Sequence, residues 1–193
     1  MWLRSERLFA DIIYTRRLQM RRIRGSDLPL ILAWSHNEDA SGPYLTPERF
    51  SRHGLEEQFA GNAFWNPHDK TFLIEKRDPA LPIGTIHYWI RPDQRDSAVM
   101  SVKIADAQER NHGYGTEAQK YLIIQLFERE AVQNVLMYTD IDNGPQQRCL
   151  GKLGFSIHRT LTYDDRQVKR FGHLFRLTRK DYRTRPIYMF HYE

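Results

Sequence analysis

Apolar positions change period along this chain, and each change marks an element. Residues 17–24 alternate as a strand. Ser26-Asp27 then reads as a helix start, followed by Leu28, Leu30, Ile31, Leu32 and Trp34. Thr46-Pro47-Glu48 carries a capping hydroxyl, proline at the first helical position and an acid in the first turn, which predicts a second helix to about Ala60. From residue 70 the period falls to two. Residues 71–75 and 83–90, separated by the turn-forming run 78–82, predict a hairpin, and 97–104 predicts the next strand. The clearest helical period covers 115–131, with Ala118, Leu122 and Leu126 on one side and Ile123, Phe127 and Ala131 beside them. A strand at 135–141, a short helix at 146–153 and strands at 155–161 and 168–177 complete the pattern. In the last of these, Phe171, His173, Phe175 and Leu177 share a face.

The order strand, helix, helix, three strands, long helix, strand, helix, two strands predicts an α/β fold with a mixed sheet, since hairpins stand beside at least one helical crossover. No linker divides residues 1–193, so one domain is expected, with a core at about 15–180 and an aromatic tail at 181–193. Hydrophobic residues at 40% and charged residues at 27% are ordinary for a globular chain, and the longest apolar runs are too short to span a membrane. The N-terminus bears charges where a secretory signal needs an apolar run, and the one cysteine, Cys149, excludes an internal disulfide framework; a cytoplasmic protein is expected. The net charge of +5 sits largely in clusters at 16–24 and 169–185. No nucleic-acid-binding motif accompanies them, so nucleic acid is not the expected partner.

Candidate chemistry concentrates in Gln108–Ala118, a polar loop with two glycines that runs into the long helix. Free backbone N–H groups and the positive end of a helix dipole suit a phosphate. Gly113-x-Gly115-x-x-Ala118 with Asp140 downstream superficially matches a dinucleotide fingerprint. However, residues 105–112 separate the strand from Gly113, and the remaining chain reads β-rich rather than as further βα units. A second reading uses more of the sequence. Arg110-x-x-Gly113-x-Gly115, followed after one strand by Asn143 and then Gly154-Phe155, resembles the two cofactor motifs of the GNAT N-acetyltransferase superfamily. The Gly113–Ala118 wording, Leu150, the opening 15–21 and the Ser26-Asp27…Trp34 pattern are similar to the ribosomal-protein N-terminal acetyltransferase branch.

The resemblance implies a single-domain fold with a mostly antiparallel central sheet flanked by helices. It also implies acetyl-CoA as co-substrate and direct attack of a primary amine on the thioester. The pyrophosphate would lie against Arg110, Asn111, His112, Gly113, Tyr114, Gly115 and Thr116; Val102 and Ile104 would border the pantetheine arm; and Asn143 would hydrogen-bond it. Many family members protonate the leaving thiolate with a tyrosine at the position occupied here by Leu150, a departure that leaves this role to water. It also keeps open a non-catalytic acyl-CoA sensor or partner module of the same fold. The candidate bases are Asp140, at a strand end, and His87, in the hairpin. Asp140 is equally explained as a turn acid and His87 as a packed or pocket-lining residue. Glu117 suits the helix dipole, Cys149 has no evident activator, and no His/Cys/Asp group has metal-ligand spacing. The acceptor site is expected from residues 36–70, with Tyr44, Phe50, His53, Phe59, Phe64, Trp65, Glu48, Glu56 and Glu57. A polyamine enzyme would show a denser acidic patch; a peptide N-terminus, an amino sugar and other small amines stay open. The aromatic tail is expected to pack on the domain or on a second copy in a homodimer.

Overall fold

The computed structural model describes residues 12–130 and 132–189. In chain order the elements are β1 (Ile12–Tyr14), β2 (Leu18–Arg22), α1 (Leu28–His36), α2 (Glu38–Ser41), α3 (Arg52–Ala60), β3 (Trp65–Asn66), β4 (Asp69–Arg77), β5 (Ala80–Ile90) and β6 (Ser97–Ile104). They continue with α4 (Tyr114–Glu128), β7 (Asn134–Asp140), α5 (Gly144–Lys152), β8 (Ser156–Asp165), β9 (Val168–Thr178) and α6 (Arg179–Thr184). The sheet runs β1-β2-β4-β5-β6-β7-β9-β8, with β3 paired to β4. Every pairing is antiparallel except β6 with β7, which are joined by the α4 crossover.

The two-residue alternation of the strands sends side chains to two different cores. Phe72, Ile86, Tyr88, Met100, Val135 and Met137 meet Leu122, Ile123, Leu126 and Phe127 of α4 and Leu150 of α5. Each of these fully buried side chains contributes about 1.5–3 kcal/mol of apolar burial. Leu73 on the opposite face meets Ile31 and Trp34 of α1 and Leu55 of α3. Tyr182 and Tyr188 join the α4 core, and the Tyr188 hydroxyl donates to the Leu153 carbonyl at 2.7 Å, so the tail packs on its own domain up to residue 189.

α1 starts where the Arg21 guanidinium binds Asp27 (2.7 and 2.9 Å) and Glu75 (2.6 and 2.9 Å). Burial pushes the Asp27 carboxyl up, but the Arg21 hydrogen bonds and the Arg24 amide more than reverse this and hold it below its ordinary value.

One expected helix start is displaced. Thr46-Pro47-Glu48 forms no helix, and α3 begins only at Arg52, capped by Ser51 Oγ, which accepts from the Gly54 amide at 3.0 Å. The capping chemistry of 46–48 is used elsewhere: the Thr46 amide donates to Asp165 at 2.8 Å, and Glu48 pairs with Lys103 and Arg166. α4 ends at Glu128 rather than 131, and residue 131 lies outside the described residues. The expected shared face of β9 holds, but only its inner end is buried. Phe175 and Leu177 are core, whereas Phe171 lies beyond the helices and is exposed.

The most consequential feature is where β6 and β7 part. Their parallel ladder comprises Ser97–Asn134, Ala98–Val135 and Val99–Leu136, and then stops. Beyond it a wedge opens between Met100–Ile104 and Met137–Asp140. Glycine stands on both outer flanks at this level: Gly84 of β5 opposite Ile104, and Gly172 of β9 opposite Asp140. A Cβ at Gly84 would lie 2.0 Å from the Lys103 carbonyl oxygen, and one at Gly172 would lie 2.1 Å from that of Thr139. β6 and β7 therefore crowd outward against their neighbours, which only glycine tolerates.

Candidate functional site

One side of the wedge is closed by the glycine loop. Asp106 caps a short helical turn at Ala107–Glu109, its side chain accepting from the Gln108 amide. The chain then turns through the left-handed region at Asn111 (φ 63°) and Gly113 (φ 81°) and enters α4 at Tyr114. Glu117 donates the first helical hydrogen bond, to the Gly113 carbonyl at 3.0 Å, leaving the amides of Tyr114, Gly115 and Thr116 at the open end of the helix. Gly113 is needed for its backbone angle. Gly115 is not, since a Cβ there would meet only Ile104 Cγ1, at 3.7 Å; its smoothness serves the space in front of the helix.

Two arginines hold this loop from behind. Arg17 pairs with Glu117 (Nε to Oε2, 2.7 Å), donates to the His112 carbonyl at 3.0 Å and lies 4.4 Å from the centre of the Tyr114 ring. Glu117 also accepts from the Thr15 hydroxyl (2.6 Å) and the Arg17 amide (2.9 Å). Burial raises its carboxyl, but these bonds outweigh burial and leave it below the ordinary glutamate value. Arg110 donates to the Ile104 carbonyl at 2.8 Å and to the carbonyls of Asp39 and Ala40. Its guanidinium thus clamps the loop to β6 and α2 instead of facing a phosphate.

Inside the wedge the strands present backbone. The Lys103 carbonyl faces Gly84 of β5, whereas the Ile104 carbonyl points the opposite way, to Arg110. By the alternation of strand hydrogen bonding, the backbone groups of Val102 face the wedge as those of Ile104 do. On the other wall the Thr139 carbonyl faces β9, so the backbone of Tyr138 faces inward.

On the sheet face opposite α4 lies a cavity of about 350 Å³ that reaches β6 at Ser101, Val102 and Lys103, within the parted segment. His87 lines it; its Nε2 meets Asp69 Oδ1 at 2.8 Å, and its ring stacks on Trp89 with centroids 5.1 Å apart. No partner of Nδ1 is seen among the described residues. Trp34, Leu45, Phe50 and Phe64 form the apolar end, and Lys103, Glu48 and Arg166 form a chain of ion pairs along the wall.

The candidates thus divide. His87 and Val102 line the cavity, and the amides of Tyr114, Gly115 and Thr116 lie at the open end of α4. Asp140 ends one wall of the wedge, but its carboxylate is engaged there. Its Oδ1 accepts from the Asp142 amide at 3.0 Å, its Oδ2 lies 3.5 Å from Arg170, and the turn-acid explanation suffices. The Asn143 carboxamide oxygen caps α5 through the Gln146 amide at 3.2 Å, which leaves only its Nδ2 for a ligand. Leu150 is fully buried and can lend no proton donor. Cys149 lies against Thr116 and Gln119, and burial pushes its thiol up, the opposite of activation.

Of the expected acceptor residues, Glu48, Phe50 and Phe64 line the cavity, but Glu56 and Glu57 are exposed on α3 and Trp65 packs on Phe72 towards the other core. Asp69, Thr85, Ser101, Lys103 and Arg166 were not legible as cavity residues, although Asp69 and Thr85 stand on the alternating positions that His87 defines. Among the described residues no group of three or more His, Cys, Asp or Glu could hold a metal, and no helix is long and apolar enough to cross a membrane.

The family model for the acetyltransferase (GNAT) domain matches residues 17–156, so the chain belongs to the GNAT acetyltransferases and is an acetyl-CoA-dependent N-acetyltransferase. The fold agrees. A GNAT-family acetyltransferase from Bacillus anthracis superposes with a TM-score of 0.73 at 14% identity, over 88% of this chain and 99% of that one. The aminoglycoside acetyltransferase AAC(6')-Ib in complex with coenzyme A and kanamycin gives 0.71 at 18%, over 86% and 98%. A spermidine N-acetyltransferase chimera that includes Vibrio cholerae sequence gives 0.73 at 16%, over 88% and 99%. No curated protein matches the sequence.

Proposed function

We propose that this protein acetylates a primary amine seated in the cavity, that the wedge admits the pantetheine arm, and that His87 is the base. The observation that carries this reading is the continuity of three spaces: an amide-lined helix end, a parted pair of strands and a cavity that begins on the parted strand. Acetyl-CoA supplies the acetyl group as a thioester. The amides of residues 111–116 and the α4 dipole fit its pyrophosphate without a metal, and the inward-facing backbone of Val102 with the Ile104 amide fits an amide-bearing arm, the Ile104 carbonyl being held by Arg110. His87 accepts the proton lost by the amine as nitrogen bonds to the acetyl carbon and the carbon–sulfur bond breaks; the thiolate takes its proton from water. Asp69 orients the imidazole through Nε2, leaving Nδ1 to receive that proton.

The resemblance to the ribosomal-protein branch favours a chain N-terminus as acceptor. Its support among solved structures is a proposed ribosomal-protein-serine acetyltransferase from Vibrio cholerae (TM-score 0.66, 21% identity, 86% of this chain and 97% of that one). The test is calorimetry with acetyl-CoA together with thiol release over a panel of amines, on the parent chain and His87→Gln. Removing a general base should lower kcat about 100-fold or more while acetyl-CoA affinity stays unchanged. A His87→Gln enzyme with parental kcat refutes the assignment.

A further inference from the structure

Resting on the acetyltransferase reading and narrowing it, we infer that the acceptor is an amine with a single positive charge on an apolar or aromatic body, and that Glu48 and Lys103 enforce this choice. The cavity is apolar at the end made by α1 and the 45–64 segment, where Trp34, Leu45, Phe50 and Phe64 stand, and polar at the end made by β4, β5 and β6. A cationic acceptor is held in such a site by carboxylates, so the state of each carboxylate decides how many charges can enter.

The cavity is lined by two carboxylates, and only one of them is paired with cations. Asp69 meets His87 Nε2 through Oδ1 at 2.8 Å; a base must be uncharged before it acts, so Asp69 keeps one negative charge to face one ammonium. Both oxygens of Glu48 accept from Lys103 Nζ, at 3.1 and 2.9 Å, and Oε1 also accepts from Arg166 at 3.1 Å. Glu48 and Lys103 are mostly shielded from water, with side chains 16% and 12% exposed. Their charges are therefore balanced within the wall.

Asp69 answers one ammonium; a second one entering this space leaves its water and finds Glu48 already engaged. Displacing Lys103 from Glu48 would strand one buried cation to satisfy another, so the exchange brings no gain. The first ammonium needs no permanent counter-charge, because it must become a neutral amine before it attacks. Its apolar substituent exchanges water for the aromatic end of the cavity, which is favourable in proportion to the area covered. The site thus rejects polycations by lacking a second uncompensated acid, although a glutamate and an aspartate line it.

The experiment measures thiol release from acetyl-CoA with 2-phenylethylamine, with the peptide Phe-Ala-Ala-amide and with spermidine. A kcat/KM for one of the first two at least 100-fold above that for spermidine is expected; which of the two reacts tells a free amine from a chain terminus. Lys103→Met leaves Glu48 partly uncompensated and should narrow that gap at least tenfold through a lower KM for spermidine, with acetyl-CoA affinity unchanged by calorimetry. If Lys103→Met does not fold, Arg166→Gln, at a half-exposed position, makes the same comparison. Spermidine turned over as well as the monoamines overturns the inference. So does a folded, acetyl-CoA-binding variant with parental selectivity, or a parent that binds acetyl-CoA and acetylates neither monoamine. Failure to bind acetyl-CoA overturns the acetyltransferase reading itself, and the acceptor class with it.

Discussion

The glycine loop and the acceptor cavity lie on either side of one opening in the sheet, and they are built on different principles. The loop is local. Residues 106–117 supply its turn, its left-handed positions, its amides and Arg110, which ties it to β6, and Arg17 braces it from outside. The cavity is assembled from α1, the irregular 42–51 segment, β4, β5, β6 and the β8–β9 turn, and its pairs His87–Asp69, Lys103–Glu48 and Arg166–Glu48 each join residues well separated in sequence. Local construction uses backbone groups, which every member of a fold can present, so it suits a ligand common to many enzymes. Distributed construction uses side chains that change independently, which suits the variable acceptor. A shared co-substrate and a private acceptor need these two kinds of wall.

Between them stands the wedge, and breaking it should have the largest effect. Gly84→Val or Gly172→Val puts a Cβ about where a neighbouring carbonyl oxygen sits, and should cost about 3 kcal/mol or more. Denaturant midpoints check this, and any folded fraction should have lost acetyl-CoA binding. Parental stability in either variant would mean that the flanking glycines do not hold β6 and β7 apart.

Next in size is the contrast between His87 and Asp140. Asp140→Asn keeps an oxygen for the Asp142 amide and should hold kcat within about threefold, while destabilising the fold by no more than about 1 kcal/mol. His87→Gln should lower kcat about 100-fold. Steady-state kinetics on the pair decide which side of the wedge holds the base; a reversed order would move it from β5 to β7.

The bracing of the loop has a pH signature. Glu117 has a depressed folded-state value, so its stabilisation is present above the unfolded-state value and is lost as pH falls through the folded one. Glu117→Gln should cost about 1.5–3 kcal/mol at neutral pH, and its difference from the parent should shrink below about pH 4.3. Urea titrations at pH 7 and at successively lower pH test this. A constant difference would mean that charge plays no part in the brace.

The smallest effect separates the two loop glycines. Gly113→Ala strains a left-handed position and should lose about 1 kcal/mol of stability. Gly115→Ala has room and better helix propensity, and should keep or gain up to about 1 kcal/mol. Its methyl group faces the ligand space, however, so acetyl-CoA affinity should fall about tenfold, or 1.4 kcal/mol. Thermal unfolding and calorimetry together read the opposite signs.

Much of this was legible in the chain. The period of two sorts Phe72 from Leu73, the period of three to four marks α4, and the glycine spacing before α4 marks the turn into that helix, because all three depend on neighbours within one turn or one pleat. The helix expected at Thr46-Pro47-Glu48 shows where that legibility ends. The local capping chemistry is sound, but Arg170, Asp165, Lys103 and Arg166 claim these groups from distant parts of the chain, and the segment forms no helix. The Asp140 carboxylate is likewise claimed, by the Asp142 amide and by Arg170 of a strand far along the chain.

The sequence by itself determined most of the longer elements, the family and the amide-lined end of α4, since each is a property of contiguous residues. Tertiary structure alone decided that β6 and β7 part after Val99 and Leu136, that His87 meets Asp69 and that Glu48 is neutralised. These depend on which strands become neighbours, and an ion pair between distant residues leaves no periodic trace in either one's surroundings.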